Sequence, residues 1–154
     1  MNDDINSFQK SFRAIVSDDL VKVYNEKSCI PVDSSISFDS EKEEFTSIDF
    51  FVSSIVSELI LTMMRVAKKR NTILQDIEAK VNLDIDNPMY LLNVIGFEDK
   101  SIINKIDIDI YFFSFYEGEE LQEFLDEVLD RTLIYNSIKA VSYTHLTLPT
   151  ILLV

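Results

Sequence analysis

The chain of 154 residues holds one cysteine, Cys29, two glycines, three prolines, one histidine and no tryptophan. Each scarcity excludes something. A single thiol rules out an intramolecular disulfide. Together with the acidic, polar start Met1-Asn-Asp-Asp-Ile5, which is no signal peptide, it points to a reducing, cytoplasmic setting. Gly96 and Gly118 stand too far apart to build a phosphate-cradling loop, so no P-loop or dinucleotide motif is present. Positive charge is scarce too: 14 basic residues against 27 acidic ones leave a net −13, spread along the chain. That sign disfavours nucleic acid and anionic membrane surfaces as partners. The length suits one domain able to bury a sizeable core.

What is there centres on residues 49–67, a run apolar round nearly its whole circumference and therefore expected as a buried helix. Thr46 and Asp49 read as a capping-box variant at its start, and Lys68, Lys69, Arg70 and Asn71 supply cations and a C′ residue at its end. A membrane span is the rival reading. Ser53, Ser54, Ser57, Glu58 and Thr62 interrupt the run, and a mid-helix carboxylate costs several kcal/mol in hydrocarbon, so no membrane partner is expected. The informative residue is Glu58, an acid among Val56, Leu59, Ile60 and Met63.

Before the helix, apolar and polar residues alternate through 8–16 and 20–24 about a turn at Ser17-Asp18-Asp19, the pattern of a hairpin. Residues 34–38 are a candidate third strand, and 39–44 form an acidic connector. After it, residues 77–85 are apolar at every odd position and polar at every even one, and 106–112 repeat this, so the two are expected to pair antiparallel with one wet face. The apolar link between them, 87–96, is too long for a hairpin turn. A helical turn that covers a pocket or interface is expected there. A second helix over 117–131 puts Leu121, Phe124, Leu125, Val128, Leu129 and Thr132 on one stripe and acids on the other.

The last fourteen residues, 141–154, carry no charged side chain, although charge is dense up to Lys139. Written back into codons, 141–150 resemble the transposon-end adapter of sequencing libraries read in frame. The expected organisation is therefore a C-terminally truncated domain over 1–140 and an artefactual tail over 141–154. His145, the only histidine, falls in that tail and is no candidate ligand or base; physically the tail is a strand former able to pair with the sheet.

The order of elements and several residues resemble the OsmC-like family of osmotically inducible and organic hydroperoxide resistance proteins, from about Phe8 to Ala140. The family's reactive cysteine follows a small residue about a third of the way along the central helix, where Ile55-Val-Ser-Glu-Leu59 here places Glu58. Its resolving cysteine stands four residues before an asparagine and a small hydroxyl residue. Here Asn136 and Ser137 are kept, and Thr132 takes the cysteine position. Residues 86–97 resemble the apolar insertion of one branch. The resemblance implies an α+β fold with antiparallel sheets, a long buried central helix, a second amphipathic helix and an intertwined homodimer. The composition agrees with a dimer, because so apolar a helix is hard to cover within 140 residues.

The departures decide the expected function. Family peroxidases use a thiolate followed by an internal disulfide, and carboxyl and hydroxyl groups cannot do this. Glu58 and Thr132 are thus candidate binding positions, with no catalytic residue, no metal site and no cofactor expected. A buried acid must be paired, hydrogen-bonded or protonated; Arg13, Arg65 or a lysine of a second subunit are the candidates for Glu58, unless it reaches solvent at the edge of the helix. Alternatively it marks a remnant pocket at the dimer interface for a small amphipathic ligand. Cys29 matches neither family position and reads as a buried, inert hydrophobe. Two other readings stand beside this one: a hydroperoxide reductase on the same fold that uses Cys29, and an unrelated α+β interaction module.

Overall fold

The computed structural model describes residues 8–17, 20–33, 44–141 and 150–151, the last few of these by backbone alone. The fold is α+β, in two compact units, Met1–Phe51 and Val52–Val154.

The first unit is an antiparallel sheet of β1 (Arg13–Ser17), β2 (Leu20–Tyr24) and β3 (Cys29–Val32), in that order. The expected β1–β2 hairpin is present, but its first strand is shorter at the start, leaving 8–12 outside it, and takes in Ser17, which stands opposite Leu20 and not in the turn. The β2–β3 turn is set by Asn25, whose Oδ1 accepts the amides of Lys27 and Ser28, both at 2.8 Å. The third strand is therefore Cys29–Val32; residues 34–38 and most of the acidic connector lie outside the described residues. Pro31 is tolerated because β3 is an edge of this sheet. The expectation of a buried Cys29 fails. Its thiol-bearing side chain is exposed, and among the described residues of this unit none is fully buried.

Helix α1 (Ser47–Lys69) begins as its sequence predicts. The Thr46 amide and hydroxyl both donate to Asp49 Oδ2 at 2.8 Å, and the Asp49 amide donates back to Thr46 Oγ1 at 3.3 Å. Phe45 packs edge-on to Phe50 with centroids 5.7 Å apart, a hydrophobic staple across the cap. At the other end Asn71 takes φ 53°, with Asn71 N bonded to Lys68 O and Thr72 N to Ala67 O, a Schellman closure.

The second unit holds β4 (Gln75–Asp86), α2 (Pro88–Leu91), β5 (Ile102–Phe113), α3 (Gly118–Asp130), α4 (Leu133–Val141) and β6 (Thr150–Ile151). Strands β4 and β5 pair antiparallel with Val81 opposite Ile108. Ile106, Ile108, Ile110 and Phe112 point inward, while Asp107 and Asp109 stand opposite Asn82 and Lys80 on the wet face. The sheet is not wholly antiparallel: β6, from the expected tail, lies parallel to β5 with Thr150 beside Ile110. The core joins those β5 residues to Ile55, Leu59, Met63 and Val66 of α1 and to Phe124, Val128 and Tyr135 of α3 and α4.

Three expectations need correction here. Helix α1 is long and apolar enough to cross a membrane by composition, yet it buries only one face; Leu61 and Met64 are 56% and 53% exposed. Its circumference is apolar all round, but a single sheet can cover only one side of a helix. The link after β4 does form a helical turn, α2, held by Asn87 in the left-handed region, but it covers little within the chain, and Ile95 is 98% exposed. The second helix also ends earlier than the stripe implies, and α4 follows as a separate helix after Arg131 and Thr132.

Candidate functional site

The break between α3 and α4 leaves carbonyls at the end of one helix and amides at the start of the next, and three side chains satisfy them. The Thr132 hydroxyl, fully buried, donates to Val128 O at 2.8 Å. Asn136 donates to Leu129 O and Asp130 O, at 2.9 and 3.1 Å, closing the C-terminus of α3. Because the hydroxyl of Thr132 is used backwards, it does not cap α4. Glu58 does so from α1: Oε1 accepts the Leu133 amide at 2.9 Å and Oε2 the Ile134 amide at 2.7 Å. A carboxylate here also meets the positive end of the α4 dipole.

Both candidate positions therefore meet at one junction, Glu58 bonding the two residues that follow Thr132. Among the described residues the acceptors of Glu58 are met by backbone amides and not by the expected arginines. Arg65 donates instead to Thr62 Oγ1 at 2.8 Å. Backbone amides were not among the candidates because they become available only where α4 starts, and Thr132 at that start reads in the sequence as the last residue of the preceding apolar stripe. Beside Glu58 lies an open depression of about 420 Å³ lined by Ser54, Ser57, Glu58, Leu61, Arg65 and Ile134. Each Glu58 oxygen takes one amide, so a lone pair remains on each for a donor entering the depression.

A second cluster went unremarked in the sequence. Glu127, on the acidic face of α3, takes Lys69 Nζ at 2.8 Å, Arg70 Nε at 2.8 Å and Arg131 Nε at 2.9 Å. These three cations, Lys69 foremost, hold its carboxyl at about 2, well below the usual carboxylate range. Arg70 in turn is pushed above its ordinary value chiefly by its bond to Glu127 and lies 5.9 Å over the Phe124 ring. The i, i+4 spacing of Glu127 and Arg131 was visible; the approach of Lys69 and Arg70, almost sixty residues earlier, was not. Among the described residues no group of histidine, cysteine, aspartate and glutamate is gathered so as to hold a metal ion.

No known family pattern matches the chain, and no curated protein matches it in sequence. Solved structures do. An OsmC-like protein from Mycoplasma pneumoniae is 17% identical with a TM-score of 0.73, over 94% of this chain and 97% of that one. An OsmC-like protein of unknown function from Vibrio cholerae is 11% identical with a TM-score of 0.68, over 94% and 100%. An organic hydroperoxide resistance protein from Elizabethkingia anophelis is 9% identical with a TM-score of 0.64, over 95% and 99%. At these identities the likeness is one of fold: the chain has the OsmC-like fold along nearly its whole length.

Proposed function

We propose that this chain is a cytoplasmic OsmC-like protein that has exchanged the thiol pair for a structural junction. In this reading it binds a small amphipathic ligand beside Glu58 and does not reduce hydroperoxides. One observation carries the reading: the carboxylate at the position of the reactive cysteine is bonded to the two amides following the position of the resolving one. A group so engaged holds two helices together and is no nucleophile toward a peroxide oxygen. The depression beside it offers the apolar side chains of Leu61 and Ile134 next to the hydroxyls of Ser54 and Ser57, a lining suited to a ligand with one greasy and one polar end.

A homodimer belongs to the same reading. The outward face of α1 at Leu61 and Met64 and the 88–97 segment expose apolar area that a second copy would cover. Sedimentation of the full chain should give twice the monomer mass, and Leu61→Arg should reduce it to one.

The deciding experiment is consumption of cumene hydroperoxide with a dithiol reductant. No turnover above the uncatalysed rate is expected. Cys29 gives the second reading its one favourable observation, an exposed thiol on an edge strand. Turnover that vanishes in Cys29→Ser would replace the first reading with that of a reductase using a displaced thiol.

A further inference from the structure

In a chain of net charge −13, three of the 14 basic residues converge on one pocket of about 310 Å³, lined by Thr62, Arg65, Val66, Lys69 and Arg131. The convergence follows from helical spacing. Thr62, Arg65, Val66 and Lys69 recur at three and four residues along one side of α1, and Arg131 reaches the same pocket from the end of α3. Glu127 is the carboxylate at this cluster, and its two oxygens are already shared among Lys69, Arg70 and Arg131. Four cations, Arg65, Lys69, Arg70 and Arg131, against Glu127 and against Glu58, which lines the adjoining depression with Arg65, leave an excess of about two positive charges.

The donors are unevenly used. Arg65 bonds the buried Thr62 hydroxyl through Nη2, which orients its guanidinium, and it has no carboxylate partner among the described residues. Arg131 meets Glu127 through Nε, so the terminal nitrogens of its fork are left over, and Lys69 uses one of three ammonium hydrogens. Two guanidinium forks and an ammonium around a small open pocket match an oxyanion, and the excess of two charges matches a dianion better than a monoanion.

We propose that the pocket formed by Thr62, Arg65, Val66, Lys69 and Arg131 is an anion site that takes the dianionic phosphoryl group of a small phosphomonoester. Arg65 is the principal contact, Arg131 and Lys69 complete the ring, and Val66 floors it. The pocket volume admits a phosphoryl group with a small body and not a polymer. The site shares Arg65 with the depression beside Glu58, but its chemistry is its own and stands whether or not the protein reduces peroxides.

Methyl phosphate and methyl sulfate have nearly the same shape but differ in charge at neutral pH, so they test the claim on the full chain. Calorimetric titration at pH 7.5 and fixed sodium chloride should show saturable methyl phosphate binding at least tenfold tighter than methyl sulfate. The preference should shrink toward pH 5, where the phosphomonoester loses its second charge. The groups around the pocket that could otherwise account for such a profile are Glu127, held near 2, and Glu58 in the neighbouring depression. Arg65→Met and Arg131→Met should each weaken methyl phosphate at least tenfold with unchanged circular dichroism, since both side chains are exposed and Lys69 and Arg70 still hold Glu127. Equal affinity for the two anions, no saturable binding of either, or undiminished binding in both variants would overturn the proposal.

Discussion

Two carboxylates tie α1 to the helices that follow it, in opposite directions. Glu58 leaves α1 to reach two backbone amides at the start of α4; Glu127 leaves α3 to reach Lys69 and Arg70 at the end of α1, with Arg131 added. The first is answered by dipoles, which sit in one place and cannot swing away. The second is answered by full charges on flexible stems that remain largely in water, with Lys69 and Arg131 side chains 62% and 54% exposed. Both tie α1 to the helical layer, but only the Glu58 tie would leave backbone amides without partners if it were cut. This difference matters more than formal charge: the part-buried Ile134 amide would lose an acceptor held in place by the fold, whereas a solvated cation released from its acid is rehydrated.

If that contrast is right, the largest effect belongs to Glu58. Glu58→Ala should lower unfolding stability by about 2 kcal/mol, the scale of two lost charge-assisted bonds at a helix N-terminus. Glu58→Gln, which keeps one acceptor oxygen, should lose about half that. Urea denaturation monitored by circular dichroism measures both, and a Glu58→Ala loss no larger than that of Glu127→Ala would erase the contrast. Next comes Asn136→Ala, which frees the last carbonyls of α3 on the other side of the same break and should cost about 1 kcal/mol in the same assay.

The Glu127 tie should be weaker and should depend on pH and salt. Its carboxyl is depressed from 4.5 to about 2, so its contribution is fully present above 4.5 and is lost as pH falls through about 2. The stability gap between the parent chain and Glu127→Gln should accordingly be constant near neutrality and close steadily between those values. Smallest of all, raising sodium chloride to about 1 M should narrow the same gap at pH 7 through screening, while leaving the Glu58→Gln gap nearly unchanged. A Glu58 gap that closes equally with salt would mean that both ties are ordinary ion pairs.

The sequence made Glu58 conspicuous because an acid in an apolar helix contradicts its neighbours. It left Glu127 unremarked because an acid on an acidic face contradicts nothing. The same logic explains the rest of the record. The capping box at Thr46 and Asp49 and the alternation of 77–85 with 106–112 were legible, since each is a contact within a short stretch or a repeating period. Helix α4 was not, since its cap is supplied from 75 residues away. The apolar circumference of α1 was correctly seen but read as burial, when a single layer can shelter one side only.

Local chemistry alone therefore determined most of the elements, the caps of α1 and the wet and dry faces of the long hairpin. Which groups meet was decided only when the chain folded. The bonding of Glu58 to α4, the ring of cations about Glu127 and the pocket beside Arg65 depend on contacts distant in sequence, made by long side chains that cross from one helix to another. No periodicity records such a meeting, because it is the packing of the helices, and not the spacing along either of them, that sets the distance.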